Sequence, residues 1–163
     1  MDLLDCLLED HVGLRESLAA MRDLVGRACD GDQESLGKLR EAQARFLKRL
    51  RVHEEVEEVL LAKALRVSGE GERVAVLDAD HAGVNDIAAI LSALTGICAC
   101  RDPYAVGFAM ARITDELERH MGFEERELFP QVRLKLSVGW LEASGRQAEI
   151  MLQGVLQPAD ESS

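Results

Sequence analysis

The stretch VHEEVEEVLL, residues 52–61, sets one histidine and four glutamates into a run that otherwise reads as a buried helix. Counting back from Leu60 by threes and fours meets Glu57, His53, Leu50 and Phe46. An imidazole and a carboxylate therefore share a line with core side chains. Unpaired polar groups in such a line are costly. Either the line is a solvated charged face that touches the seam, or the helix carries ligands into the core.

The same periodicity runs outward through the chain in four segments. The first is Leu4, Leu8, His11, Leu14, Leu18, Met21 and Val25. The second, around the quoted stretch, is Leu36, Leu39, Gln43, Phe46, Leu50, His53, Glu57, Leu60 and Ala64. The third is Val74, Leu77, His81, Val84, Ala88, Leu91 and Cys98, and the fourth Val106, Met110, Ile113, Leu117, His120, Glu124 and Leu128. Steps of three and four mark amphipathic helices facing a common core. The breaks carry helix-end chemistry: DGDQ at 30–33, SGEG at 68–71, and Asp102 before Pro103 as cap and first helical position. Pro130 is expected to close the fourth helix. Short connections between helices of similar length favour antiparallel neighbours. The expected fold is all-α, an up-down-up-down four-helix bundle over residues 1–130. Trp140, Leu141, Ile150, Met151 and Leu152 suggest a C-terminal helical extension over 131–156 packing on the bundle, followed by a frayed tail, 157–163.

Composition agrees. The 163 residues are 47% hydrophobic, 30% charged and only 4% aromatic, a globular and helix-forming balance. A formal net charge of −11 speaks against nucleic acid or an anionic membrane as partner. No apolar run approaches membrane-spanning length, and the acidic start MDLLDCLLEDH does not read as a secretory signal. Cys6, Cys29, Cys98 and Cys100 show no disulfide or zinc-ribbon spacing, which points to free thiols in a reducing cytoplasm. The sequence is silent on oligomeric state.

Each of the four histidines lies in a different seam. One histidine on an apolar stripe is ordinarily a satisfied core residue; one in every helix is a pattern. From the first loop, His11 and His53 lie about 26 and 30 Å down their helices at 1.5 Å per residue. Measured from the second and third loops, His81 and His120 arrive at the same level within about one turn. His53 and Glu57, like His120 and Glu124, are four apart and so stacked on one face. Four imidazoles and two carboxylates converging in an apolar interior call for cations, and mixed N and O donors suit Fe, Mn or Zn. The count suggests two ions, with both carboxylates bridging and two histidines capping each. Glu54, Glu55, Glu58, Glu125 and Glu127 read as solvated charges or salt-bridge partners. Asp78 and Asp80 read as exposed, with a second role open to them as acceptors from His81. No HExxH, GxGxxG, P-loop or GxSxG motif supports a zinc protease, a nucleotide site or a serine hydrolase.

The order His, HxxxE, His, HxxxE resembles the hemerythrin-like, or HHE cation-binding, domain family. The wording DHVGLRESL at 10–18, HEEVEEVLLAKAL at 53–65, DHAGVNDI at 80–87 and HMGFEERELFP at 120–130 carries the likeness across residues 1–130. Ferritin-like di-iron proteins fit less well, since their Glu-x-x-His spacing is missing. The resemblance implies a non-haem di-iron centre, oxo- or hydroxo-bridged and carboxylate-bridged. In it His11 and His53 cap one iron, His81 and His120 the other, and Glu57 and Glu124 bridge. Oxygen-carrying hemerythrins have a fifth histidine one turn past the third, where this chain has Asn85. That departure leans the expectation toward reaction with O2, hydrogen peroxide or nitric oxide, including catalase-like turnover, over reversible carriage. The alternatives are a non-enzymatic iron, oxygen or nitric oxide sensor, a storage or oxygen-binding protein, and a metal-free interaction bundle.

Overall fold

The computed structural model describes residues 1–96 and 103–156. Helix α1 spans Leu3–Cys29. Helix α2, residues 33–67, joins Gln33–Val56 to Ala62–Val67 through a π turn, Glu57–Leu61. After a short 3-10 turn, Gly71–Arg73, comes α3, Val74–Gly96. Helix α4, residues 103–135, joins Pro103–Phe123 to Phe129–Lys135 through a second π turn, Glu124–Leu128. Helix α5 is Val138–Leu156. The described residues form helices and turns with no strand.

Local chemistry sets the ends. The Asp2 carboxylate accepts from the Asp5 amide at 2.9 Å, and the Asp5 carboxylate returns the bond to the Asp2 amide at 3.4 Å, capping α1. Asp32 caps α2 by accepting from the amides of Glu34 and Ser35. The two tight reversals place glycine at positive φ, Gly31 at 96° and Gly69 at 81°.

α1 packs against α2 and α4, and α3 against α4 and α2, which closes a ring of four helices in sequence order. This is the four-helix bundle the seams predict. α5 lies along α1 and α2. Two apolar cores fill the molecule. One holds Leu14, Leu18, Phe46, Leu50, Val84, Leu117 and Met121 among others; the second holds Leu3, Leu7, Val56, Leu61, Leu77, Leu128 and Phe129 and continues beneath α5 to Leu141 and Ala148.

Two details depart from expectation. Pro130 does not end its helix, which runs on to Lys135. The π turn just before it shifts the ladder, the Phe129 amide bonding the Glu124 carbonyl five residues back, so a residue without an amide proton is tolerated at that register change. In α1, Leu8 stands at the surface while Leu7 is fully buried, because α1 buries a second face, Leu3 and Cys6, beneath α5. Cys98, Cys100, the Asp102 cap and the tail 157–163 lie outside the described residues.

Candidate metal centre

The boundary between the two cores is polar. His11 lies between Leu7 and Leu14 on α1, His53 between Leu50 and Val56 on α2, His81 between Leu77 and Val84 on α3, and His120 between Leu117 and Leu128 on α4. Glu57 and Glu124 complete the layer. All six are buried, His11, His53, Glu57 and Glu124 completely. Each glutamate is the first residue of a π turn. Such single-turn widenings occur frequently at functional sites, and nothing in the 3.6-residue pattern announces them.

The structure brings all six predicted residues together. His53 Nε2 is 2.9 Å from Glu57 Oε1, and His81 Nε2 is 2.8 Å from Glu57 Oε2. His120 Nε2 lies 3.5 Å from Glu57 and 3.7 Å from Glu124, and His11 Nε2 lies 3.3 Å from Glu124. Ligand atoms of His11, His53, Glu57 and Glu124 all fall within 4.8 Å of one another, as do those of Glu57, His81 and His120. Glu57 belongs to both groups.

Electrostatics differ sharply across the layer. Against the cost of burial, His53 and the other imidazoles hold Glu57 ionised, well below the ordinary carboxyl range. Burial and the adjacent Glu57 charge drive Glu124 the other way, well above it. Burial disfavours a charged His53, but the carboxylates of Glu57 and Asp10 overcome it and push the imidazole up to about 10.

Outside the layer stand carboxylates that sequence reasoning passed over or misread. Glu125, expected as a solvated charge or a salt-bridge partner, does pair with a cation, accepting from Arg15 Nη1 at 2.8 Å, and in addition stands 2.8 Å from His11 Nδ1. Asp10, whose only sequence signal was its place beside His11, is buried, 3.0 Å from His53 Nδ1, and accepts from Arg49 Nε at 2.7 Å. Arg49 reaches it across Gly13, where a Cβ would stand only 2.1 Å from the guanidinium. Asp80 approaches His120 Nδ1 at 3.8 Å rather than its neighbour His81, and is held by Arg119 at 3.1 Å. Glu58 lies 3.6 Å from His81 Nδ1 with its side chain largely in solvent. Glu55 and Asp78 are exposed as expected, as is Glu127.

Glu54 is a further correction. It is buried, not solvated, and accepts a hydrogen bond from Asn85 Nδ2 at 3.1 Å. Burial raises its carboxyl above the ordinary range. Both residues line an open pocket of about 670 Å³ with Arg51 and Glu58.

A cation fits this donor set. The Nε2 atoms of His11 and His120 and both oxygens of Glu124 are buried without a hydrogen-bond partner. That many orphaned polar atoms in one apolar interior would be a severe burden, and neutral imidazoles with carboxylates are the donors that Fe, Mn or Zn accept. The fold and the site together define a helical bundle with a buried His/Glu cluster able to hold metal. The family description for the hemerythrin HHE cation-binding domain matches residues 2–133, and the chain belongs to that family. No curated protein and no solved structure matches the chain.

Proposed function

We propose that the layer holds two iron ions and that the protein reacts with O2 or hydrogen peroxide, with catalase-like turnover. His11 and His53 would hold one ion, His81 and His120 the other, with Glu57 and Glu124 shared between them. The observation that carries this reading is the set of buried donor atoms converging from four helices between two dry cores. Bound there, iron supplies one- and two-electron exchange with oxygen species.

The chain's own residues do the rest. Glu57, already ionised, compensates cationic charge from the centre of the cluster. Glu124, whose carboxyl burial and the Glu57 charge push well above the ordinary range, would have to be free of its proton to bind metal. The cores keep bulk water from the layer. Asn85 follows His81 by one helical turn but gives its amide to Glu54 at the pocket wall instead of the layer, so no fifth ligand comes from this position, and the pocket side is where a small molecule would approach. Peroxide consumption by the iron-loaded chain tests the proposal: steady decay is expected from the unaltered protein, and strong slowing in His81→Ala. Full iron with no decay would overturn the enzymatic reading.

That outcome would favour the second reading, a non-enzymatic iron, oxygen or nitric oxide sensor or a storage protein, which the complete burial of four of the six residues supports. A cytoplasmic location suits the free thiols of Cys6 and Cys29. None of the helices among the described residues is long and apolar enough to cross a membrane.

A further inference from the structure

Resting on the two-metal reading, we propose that the halves of the site load in order: the His11–His53 half first and tightly, the His81–His120 half second, as the weaker and exchangeable position. The first argument is donor count. Four residues offer mutually close ligand atoms around His11 and His53, but only three do so around His81 and His120, because Glu124 leans toward His11.

The second argument is how each imidazole is held from behind. A metal-binding ring whose far nitrogen meets a fixed carboxylate is already oriented before the metal arrives. In the first half those carboxylates are close and clamped. Glu125 sits 2.8 Å from His11 Nδ1 with Arg15 on the same oxygen, and Asp10 sits 3.0 Å from His53 Nδ1 with two Arg49 nitrogens on its other oxygen, at 2.6 and 2.7 Å. In the second half they stand off. Glu58 is 3.6 Å from His81 Nδ1 and Asp80 is 3.8 Å from His120 Nδ1, each farther than either carboxylate in the first half. The rings of His81 and His120 are therefore less firmly anchored at the far nitrogen, which lowers affinity.

Access gives the third argument. The open pocket is lined by Glu54, Glu58 and Asn85, and Glu58 and Asn85 are the near neighbours of His81 in space and along α3. The half that is held loosely is also the half beside the opening.

Anaerobic titration of the metal-free full chain with Fe(II), read by calorimetry against a competing chelator, tests the order. Two resolved steps are expected, the first at least about tenfold tighter. Asp10→Asn and Glu125→Gln should each weaken the first step by about 10–100-fold, while Asp80→Asn weakens the second. Circular dichroism of each variant separates loss of anchoring from loss of fold, and the unaltered chain provides the test without any variant. Two steps of equal affinity would overturn the ordering and leave the two-metal reading standing. So would a first step that Asp80→Asn weakens and Asp10→Asn does not. Failure of the unaltered chain to take up any iron would overturn both.

Discussion

Residues 53–57 on α2 and 120–124 on α4 repeat one another: a histidine, three residues, a glutamate that opens a π turn, complete burial of that glutamate. Yet their carboxyls are shifted in opposite directions. Glu57 lies within 3.9 Å of all four imidazoles, while Glu124 approaches only His11 and His120. The imidazoles hold the first well below the ordinary carboxyl range, and burial with the charge of the first drives the second well above it. Two like charges cannot share one dry site without a cation, so one of the pair yields. The two stretches share the turn; position within the cluster sets the direction of the shift.

The largest effect should follow from removing the central member. Glu57→Gln is expected to abolish uptake of both ions, whereas Glu124→Gln leaves part of it, as metal analysis of the purified variants would read. Equal loss in the two would erase the distinction.

Next comes pH. His53 moves from 6.5 to about 10 in the metal-free fold, so its contribution is complete below 6.5 and is lost as pH climbs toward 10. Glu124, raised, acts in the same direction from 4.5 upward; Glu57, lowered, contributes above 4.5 and loses that contribution as pH falls. The metal-free melting temperature should therefore drop between pH 6.5 and 10. Metal binding, which needs the ligands free of protons, strengthens over that window. The gap in melting temperature between loaded and metal-free protein should widen with pH, and a constant gap would show that the layer does not titrate as described.

Gly145→Ala sharpens the comparison by leaving it alone. The new methyl would stand 2.4 Å from the Met1 carbonyl oxygen, wedging α5 from the start of α1. About 1–3 kcal/mol of destabilisation is expected by denaturant titration, equal in loaded and metal-free forms. A change in metal content would tie α5 to the site. The smallest effect should come from Gly13→Ala, which displaces only the mobile end of Arg49 from Asp10. It should lower metal affinity by up to about tenfold with little loss of melting temperature. No change would free Asp10 from any need of its arginine.

Much of this was legible beforehand because helical periodicity and helical rise are strong signals. Every seam residue of α2 and α4 named from the 3.6-residue pattern is buried, and counting rise from the loops brought the imidazoles to one level. The misses have physical causes. A π turn inserts one residue into the pattern without any side chain marking it, so Pro130 read as a terminator when the shifted ladder had made room for it. Leu8 and Leu7 exchanged roles because α5 buries a second face of α1. Asp10, Glu54 and Glu125 look like any surface acid in sequence. Their placement beside the imidazoles depends on Arg49, Asn85 and Arg15 arriving from other helices, and such pairing leaves no local trace.

The central claim is that one buried layer of four histidines and two glutamates exists to hold metal. Elemental analysis of the full chain, expressed with iron and purified without chelator, tests it most directly. The account predicts two irons per chain, both removed by chelation and restored by Fe(II). A chain that folds with its full helical content, binds no metal under any of these conditions, and melts at the same temperature with and without chelator would contradict it.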